Sequence, residues 1–474
     1  MNRFLLSLLL YMLGLSMGFA QQKVQPEQLT GSWSGTIQAG EQQIQVIFHI
    51  NTSPEGGVSG TFDVPAQGAK GLPVQQAKLL QDSLFLDMKN LGIVYSGKIT
   101  GPSTITGQWQ QAGQSFPLVL GKGADSVVTP KRPQEPQKPY PYLEREVSVQ
   151  NKEAGITLAG TLTLPQGKGP FPAVLLLTGS GPQDRDETIL GHKPFLVIAD
   201  YLTRQGIAVL RLDDRGVGKS GGNFATATTQ DFTSDARAAY AFLKTHKDIN
   251  SKKIGLLGHS EGALIATQLA ATDKSVAFVA FLAGIGVSGT ELLLAQNEAL
   301  FKEIGAPQET IQKFLKVRRA QFKAAASTTD SIAVATTIKQ LEEDAKAKFS
   351  VQERQRLGLS PENTQALVTQ LTTPWVRNFL SYHPAPDLQK LTMPVLAVTG
   401  SKDLQAVPHQ NLPAIEKALK IAGNKTVTIK ELPNLNHLLQ TATTGMVSEY
   451  GTIEETIAPV ALETIGNWMR MVIK

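Results

Sequence analysis

The chain has 474 residues, of which 41% are hydrophobic and 18% charged, a globular composition with enough apolar material for two or three domains. Its formal net charge of +5 is small for this length and no basic block is long, so binding to nucleic acid is not expected. The absence of cysteine excludes disulfides, thiolate metal sites and lipid attachment through an N-terminal cysteine.

Residues 1–20 have the charge order of a secretory signal peptide. Arg3 precedes an apolar run from Phe4 to about Met17, and Gly18 and Ala20 occupy the −3 and −1 positions of a cleavage site. An uncleaved membrane anchor is the alternative, although the run is short for crossing a bilayer. We expect cleavage after Ala20, no stable membrane span afterwards, and a periplasmic or extracellular location in a bacterium.

Residues 21–125 are predicted to form a small antiparallel β domain, either a sandwich or a barrel. In EQQIQVIFHI, Ile44, Val46, Phe48 and Ile50 alternate with polar residues, the period of a half-buried strand. Short apolar runs follow, separated by Gly, Pro, Asn and Ser: GVSGTFDV, SLFLDM, IVYSGKIT, ITGQWQ and FPLVLG.

Residues 126–141 are predicted to form a proline-rich linker. The prolines of TPKRPQEPQKPYPY disfavour both helix and central strand and favour an extended, semi-rigid backbone. This stretch is the clearest domain boundary in the sequence.

Residues 142–474 have the pattern of an α/β domain. Apolar strand-like runs alternate with helix-period segments, and the runs are GITLAGTLTLP, PAVLLLTG, IAVLRLD, IGLLG, VAFVAFLAG, PVLAVTG and KTVTIKEL. Continuous apolar runs of this kind predict a mostly parallel sheet covered by helices on both faces. From about 286 to 381 the chain is rich in Ala, Gln, Lys and Glu without clear strands, which predicts a helical cap inserted between two strands.

A serine at a strand-to-helix corner is the strongest candidate for chemistry. In SKKIGLLGHSEGALIATQLAA, Ser260 has Gly258 and Gly262 two residues to either side and follows an apolar strand directly. Such a G-x-S-x-G corner strains the central residue and lifts its hydroxyl above the carboxyl ends of the strands. We therefore predict that Ser260 is a nucleophile.

The order Ser, acid, His supplies the partners that a serine nucleophile needs. Asp403 lies just past the run PVLAVTG, and His437 follows the next run, so both are expected at the edge of the sheet where Ser260 lies. The sequence contains seven histidines, and the position of the following five fits the role of base less well: His49, His246, His259, His383 and His409.

An oxyanion hole requires two donors, usually backbone N–H groups. We assign one to Glu261, which follows the nucleophile, and the other to Ser180 in the loop TGSGPQDRDE. The charged residues nearby have two interpretations: those at 213–215 brace the elbow by ion pairing or enter the site, and those at 184–186 bind a polar substrate or pair with one another.

These motifs resemble the α/β-hydrolase superfamily over about residues 142–474. More closely, TGSGPQDRDE, RLDDRGVGKSGG, GHSEGA, TTPWVRNFLSYHPAPDLQKLTMPVLAVTGSKDLQAVP and LPNLNHLLQ resemble bacterial secreted EstD-like carboxylesterases, which are grouped with serine-aminopeptidase-like and dienelactone-hydrolase-like sequences. The resemblance implies Ser260 as nucleophile, Asp403 as acid and His437 as base. Two departures are Thr178, where many members have His, and the lack of the cysteine nucleophile of true dienelactone hydrolases.

Three functions remain open from the sequence. The first is a secreted serine hydrolase that cleaves carboxylic esters of a small molecule or an acylated polysaccharide. The second is an aminopeptidase-like hydrolase, in which Glu261 or an acid of the cap, Glu291, Glu298 or Glu303, binds the substrate's amino group.

The third function is a carbohydrate- or surface-binding protein with an inert hydrolase fold. In that case Trp33 and Trp109 would stack on sugar rings, although tryptophan in a small β domain is more often part of the core. No cofactor and no metal are implied by any motif, and the oligomeric state is not indicated.

Overall fold

The computed structural model describes residues 26–39, 42–53, 57–65, 69–88, 91–111, 114–123, 131–359 and 361–474. The predicted signal peptide, 1–20, lies outside the described residues. The chain divides into two compact units. The first contains most of the chain up to Asp125, and the second contains 126–474 together with the short segments 40–45 and 63–70.

The first unit is built on a closed β barrel. Its strands are β1 (Gly31–Ala39), β2 (Gln42–Thr52), β3 (Val58–Val64), β4 (Ala69–Pro73), β5 (Gln76–Leu80), β6 (Ser83–Met88), β7 (Ile93–Gly101), β8 (Thr104–Gln111) and β9 (Gln114–Lys122). They pair in the order β2-β1-β9-β8-β7-β6-β5-β3-β4, and an additional β2–β3 pairing closes the barrel. The pairs from β5 to β9 are antiparallel, as the sequence predicts.

Aromatic side chains fill the core of this unit. The ring of Phe48 lies 5.8 to 6.3 Å from those of Phe62, Tyr95 and Trp109. Trp33 and Trp109 are only 1% and 3% exposed, and the indole N–H of Trp33 donates to a backbone carbonyl. Both tryptophans are therefore core residues, and neither presents a face on which a sugar could stack.

The second unit contains an eight-stranded mixed sheet. Its strands are β10 (Leu143–Asn151), β11 (Ile156–Leu164), β12 (Phe171–Leu177), β13 (Ala208–Leu212), β14 (Ile249–His259), β15 (Val279–Leu282), β16 (Val395–Gly400) and β17 (Val427–Leu432). The order is β10-β11-β13-β12-β14-β15-β16-β17, parallel from β13 to β17 and antiparallel at β10 and β11. This confirms the predicted α/β-hydrolase fold class.

Helices cover both faces of the sheet and form the insertion. In chain order they are α1 (Pro194–Arg204), α2 (Thr229–Thr245), α3 (Glu261–Thr272), α4 (Gly289–Glu303), α5 (Gln308–Ser327), α6 (Ser331–Lys346), α7 (Val351–Arg356), α8 (Pro361–Leu371), α9 (Pro374–Ser381), α10 (Ala385–Leu388), α11 (Pro408–Ile421), α12 (Val447–Tyr450) and α13 (Pro459–Ile473). Helices α2, α3 and α11 pack on one face and α1 and α13 on the other. Helices α4 to α9 form the cap between β15 and β16. Among the described helices, none combines the length and the apolar character needed to cross a membrane.

The described part of the proline-rich stretch is held against the second unit. The guanidinium group of Arg132 donates to the carbonyl oxygens of Leu190, Gly191, Gly451 and Ile453 at 2.8 to 3.2 Å. The side chain of Gln134 accepts from the N–H groups of Thr456 and Ile457 and donates to the Ile457 carbonyl. Residues 131–142 thus run along the hydrolase unit and belong to it.

Candidate active site

The corner between β14 and α3 is strained and sterically closed. Ser260 has φ 52° and ψ −115°, a backbone conformation that costs a non-glycine residue about 1–3 kcal/mol. A Cβ on Gly258 would lie 2.1 Å from the Gly262 carbonyl oxygen, and one on Gly262 would lie 2.0 Å from the carbonyl oxygen of Leu177. The two glycines flank the serine because β14, α3 and β12 approach one another too closely to leave room for a side chain.

Asp403 and His437 meet at the same edge of the sheet, in the loops after β16 and β17. The imidazole Nδ1 of His437 lies 3.0 and 2.9 Å from the two carboxylate oxygens of Asp403. One of those oxygens also accepts the N–H groups of Gln405 and Ala406, each at 2.8 Å. Burial alone would raise the pKa of Asp403, but the charge and hydrogen bond of His437 and these two N–H groups lower it below its usual value. The carboxylate therefore accepts a hydrogen bond from the Nδ1–H of His437, and Nε2 is left as the basic nitrogen of the ring.

Ser260, His437 and Ser180 line one cavity of about 210 Å³. Helices α4 and α9 of the cap contribute Leu292, Leu293, Gln296, Trp375 and Phe379 to its wall. The indole ring of Trp375 stacks on the Phe379 ring, with centroids 5.1 Å apart and 19° between the planes. The part of the cavity that the cap provides is therefore mainly apolar and aromatic.

The predicted oxyanion donors lie beside the nucleophile, and their side chains are joined. Ser180 lines the cavity, and its side chain is hydrogen-bonded to the buried carboxylate of Glu261. The N–H of Gly179 donates to a Glu187 carboxylate oxygen at 2.7 Å, which leaves Ser180 as the next donor along this loop. Burial raises the pKa of Glu261. Its Oε1 also accepts from Thr229 Oγ1 at 2.7 Å and from the Trp375 indole at 2.8 Å, so the elbow is hydrogen-bonded to the cap.

A hydrolase family model described as serine aminopeptidase, S33, matches residues 194–442, which is more than half of the chain. The chain belongs to this family. The matched region contains Ser260, Asp403 and His437.

Named relatives of this S33-family hydrolase include an esterase and a transferase. Esterase EstD of Thermotoga maritima is 28% identical over 306 residues, which cover 64% of this chain and 61% of the esterase. The chain thus spans about three fifths of that relative's length. A polyketide transferase of Penicillium crustosum is 24% identical over 290 residues, covering 58% of this chain and 85% of the transferase.

Among solved structures, an esterase of Pyrococcus furiosus is similar with a TM-score of 0.41 at 15% identity, covering 70% of this chain and 92% of that one. The ferulic acid complex of the esterase Est1E from Butyrivibrio proteoclasticus has a TM-score of 0.40 at 17% identity, covering 69% of this chain and 99% of that one.

The charged loops of this S33-family hydrolase are engaged within the domain. Arg185 binds both carboxylate oxygens of Asp213 at 2.9 and 2.8 Å, and Arg215 binds Asp235 at 2.7 and 2.9 Å.

Burial raises the pKa of Asp214 to about 7. The further contacts are Asp214 with Thr178 Oγ1 and the Gln183 N–H, Asp186 with Arg211, and Asp184 with Thr188. These groups brace the two loops, as the ion-pairing interpretation of 213–215 predicts.

Several residues that shape the site were not anticipated. Asn436 is buried, and its side-chain oxygen accepts the N–H groups of Leu438 and Gln440, which forms the turn that presents His437. The only feature of the sequence that points to Asn436 is its position directly before His437. The sequence places His259 in the elbow and no motif points to Glu187, yet both line the cavity.

Proposed function

We propose that this chain is a serine esterase that cleaves carboxylic esters through an acyl-enzyme formed on Ser260. The observation that supports this most strongly is that a serine in a strained elbow shares one cavity with His437, whose Nδ1 is held by a buried carboxylate. A serine needs a base within reach and the base needs an orienting group, and the shared cavity and the Asp403 carboxylate support these two roles.

In the proposed mechanism, Nε2 of His437 takes the proton of Ser260 Oγ while Oγ attacks the acyl carbon. The N–H groups of Glu261 and Ser180 donate to the oxyanion, at the N-terminus of α3. The tetrahedral intermediate collapses, the ester C–O bond breaks, and His437 gives its proton to the departing alcohol. Water then repeats the cycle on the acyl-enzyme, which releases the acid and restores Ser260 with its proton.

The cavity favours an uncharged ester over a peptide with a free amino terminus. An aminopeptidase needs an acid that binds the substrate's ammonium group, and Glu187 is the only Asp or Glu among the described residues that line this cavity. Its Oε1 already accepts from Gly179 and His259.

The acids that the sequence offered for that role are placed or occupied otherwise. The side chain of Glu261 is bound by Thr229 and Trp375, and Glu291 and Glu298 pair with Arg319 and Lys302. Glu303 is exposed and does not line the cavity. We therefore propose small, uncharged esters as the substrate class.

The decisive experiment compares the wild type with Ser260→Ala on short and medium p-nitrophenyl esters and on aminoacyl p-nitroanilides. Ester turnover should fall to background in Ser260→Ala while the unfolding temperature stays at or above that of the wild type. Ser327→Ala, which removes an exposed hydroxyl at the end of α5, is the matched control and should retain full activity. Serine-dependent cleavage of the anilides alone would replace the esterase with a peptidase, and substantial ester turnover by Ser260→Ala would refute both.

We also propose that the protein is exported and acts in the periplasm or outside the cell. The signal-like residues 1–20 support this proposal. Expression of the full chain in a Gram-negative host, followed by fractionation and N-terminal sequencing, tests it. A mature protein that begins at Gln21 is expected, whereas a cytoplasmic protein that retains Arg3 and the apolar run would contradict it.

A further inference from the structure

A second buried acid–histidine pair lies next to the one that holds His437. His259 is 8% exposed and Glu187 is 3% exposed, and the His259 ring centroid lies 4.9 Å from that of His437. The Nδ1 of His259 lies 2.9 Å from Glu187 Oε1, and its Nε2 lies 3.1 Å from the backbone carbonyl oxygen of His437. Neither His259 nor Glu187 takes part in the proposed mechanism.

The hydrogen-bond partners determine how many protons the His259 ring carries. A carbonyl oxygen can only accept, so Nε2 must carry a proton to make its bond with the His437 carbonyl. Glu187 Oε1 already accepts the N–H of Gly179 at 2.7 Å, which favours the ionised carboxylate, so Nδ1 must donate as well. With both nitrogens donating, the ring is an imidazolium ion.

We infer that His259 is a buried imidazolium paired with Glu187, and that this pair positions His437. The inference rests on the proposed function in so far as His437 acts as the base. The chain of bonds from the Gly179 N–H through Glu187 and His259 to the His437 carbonyl joins the oxyanion loop to the loop that carries the base.

The surroundings of the pair favour a paired charge. A small pocket beside Glu187 and His259 is otherwise lined by apolar side chains, among them Phe195, Ile198, Leu282, Leu439 and Ile457. Burial by itself lowers the pKa of His259, but the charge and hydrogen bond of Glu187, the His437 carbonyl and the charge of Asp403 raise it overall. A buried charge is stable only when it is paired and hydrogen-bonded in this way.

Other titratable groups face the pair and His437. Asp403 is ionised and binds His437, and Tyr450, whose pKa is raised by burial, is hydrogen-bonded to the His437 backbone. Asp214 interacts electrostatically with Glu187 and has a pKa of about 7, so it titrates in the range where activity is measured. The protonation of His259 is therefore also followed in Asp214→Asn.

The charge state is tested first and does not depend on activity. The protein is labelled with ¹⁵N-histidine, and the side-chain nitrogens are followed by NMR from pH 5 to 9, with His259 assigned by its loss in His259→Asn. Two protonated nitrogens on His259 from pH 6 to 8 are expected. A ring with one protonated nitrogen in that range would overturn the inference, whether or not the protein hydrolyses esters, and an inactive protein with the doubly protonated ring would refute the esterase alone.

The positioning role is tested by kcat and KM for p-nitrophenyl esters in Glu187→Gln and His259→Asn. A glutamine oxygen at 187 can still accept from Gly179, but without its counterion the buried ring loses a proton. The weakened hold on the His437 carbonyl should lower kcat by about tenfold in His259→Asn and by less in Glu187→Gln, whereas KM should stay within about twofold of the wild type.

His409→Asn removes an exposed histidine of α11 and is the matched control, which should keep the wild-type kcat and KM. If both test variants are folded and their kcat equals that of the wild type, the pair does not position His437. If neither variant folds, the NMR titration of the wild type decides the inference by itself.

Discussion

Replacement of Asp403 by asparagine should abolish most of the activity by changing the tautomer of His437. One carboxylate oxygen of Asp403 accepts the N–H groups of Gln405 and Ala406 at 2.8 Å, so the amide oxygen of an asparagine must take that position. Its NH₂ group then faces His437 Nδ1, which lies 2.9 Å from the other oxygen. Nδ1 also lies 3.0 Å from the amide oxygen, but that oxygen already accepts two N–H groups, so the ring favours the tautomer with its proton on Nε2, which cannot accept the serine proton.

The loss expected for a base held in the wrong tautomer is on the order of 10⁴ in kcat, or about 5.5 kcal/mol of transition-state stabilisation. The assay is p-nitrophenyl ester hydrolysis at pH 7.5, with thermal unfolding to show that the variant folds. Asp344→Asn, an exposed position at the end of α6, is the matched control and should keep wild-type kcat. A folded Asp403→Asn variant within tenfold of the wild type would refute the reasoning, because His437 would then work without this partner.

Three further predictions concern packing, the cap and pH. Gly262→Ala puts a Cβ 2.0 Å from the Leu177 carbonyl oxygen and should lower stability by about 3 kcal/mol, a fall of roughly 6–12 °C in unfolding temperature. Trp375→Phe keeps an aromatic wall but removes the donor to the buried Glu261 carboxylate, so stability should fall by about 1.5–3 kcal/mol in denaturant unfolding. Burial raises the pKa of Asp214 from 3.8 to about 7, so the folded form binds this proton more tightly and the wild type loses stability as the pH rises from about 4 to above 7. Asn does not titrate, so the unfolding temperature of Asp214→Asn minus that of the wild type should increase over this range.

Each of these predictions has a control or a contrary result. Gly121→Ala, where the nearest atom to an added Cβ is 3.9 Å away, should be tolerated in the barrel. An unchanged unfolding temperature in Gly262→Ala would show that the elbow can relax, and unchanged stability in Trp375→Phe would show that water replaces the indole donor. A difference between Asp214→Asn and the wild type that is constant with pH would contradict the raised pKa.

The sequence predicted the central sheet because its strands are buried on both faces. Runs such as PAVLLLTG and PVLAVTG contain only apolar or small residues, and β12 and β16 are found there. Strand β10 was missed because Leu143, Glu144, Arg145 and Glu146 are all exposed at the edge of the sheet, where no apolar run is required. Strands β4 and β5 of the barrel have five residues each and contain no buried residue, and they escaped prediction for the same reason.

The residues of the candidate site could be predicted where the order of the strands determines their position. They could not be predicted where only contacts between distant parts of the chain bring them together. Ser260, Asp403 and His437 each follow a strand, so chain order alone brings them to one edge of the sheet. Glu187 and His259 are 72 residues apart, and no local pattern links a loop glutamate to a residue of the elbow. The hydrogen bond between them is recognised only from the fold, which brings the loop of Glu187 against His259.

The attachment of Arg132 and Gln134 to the loop around 451–457 determines where this protein can be divided. The proline-rich composition suggests a cut anywhere between 126 and 141, but a hydrolase that started at Tyr142 would leave five carbonyl groups and two N–H groups without their partners. A recombination event that exchanged the barrel for another module would therefore be tolerated best if its junction fell before Lys131. The residues that look like a spacer would then be inherited with the enzyme.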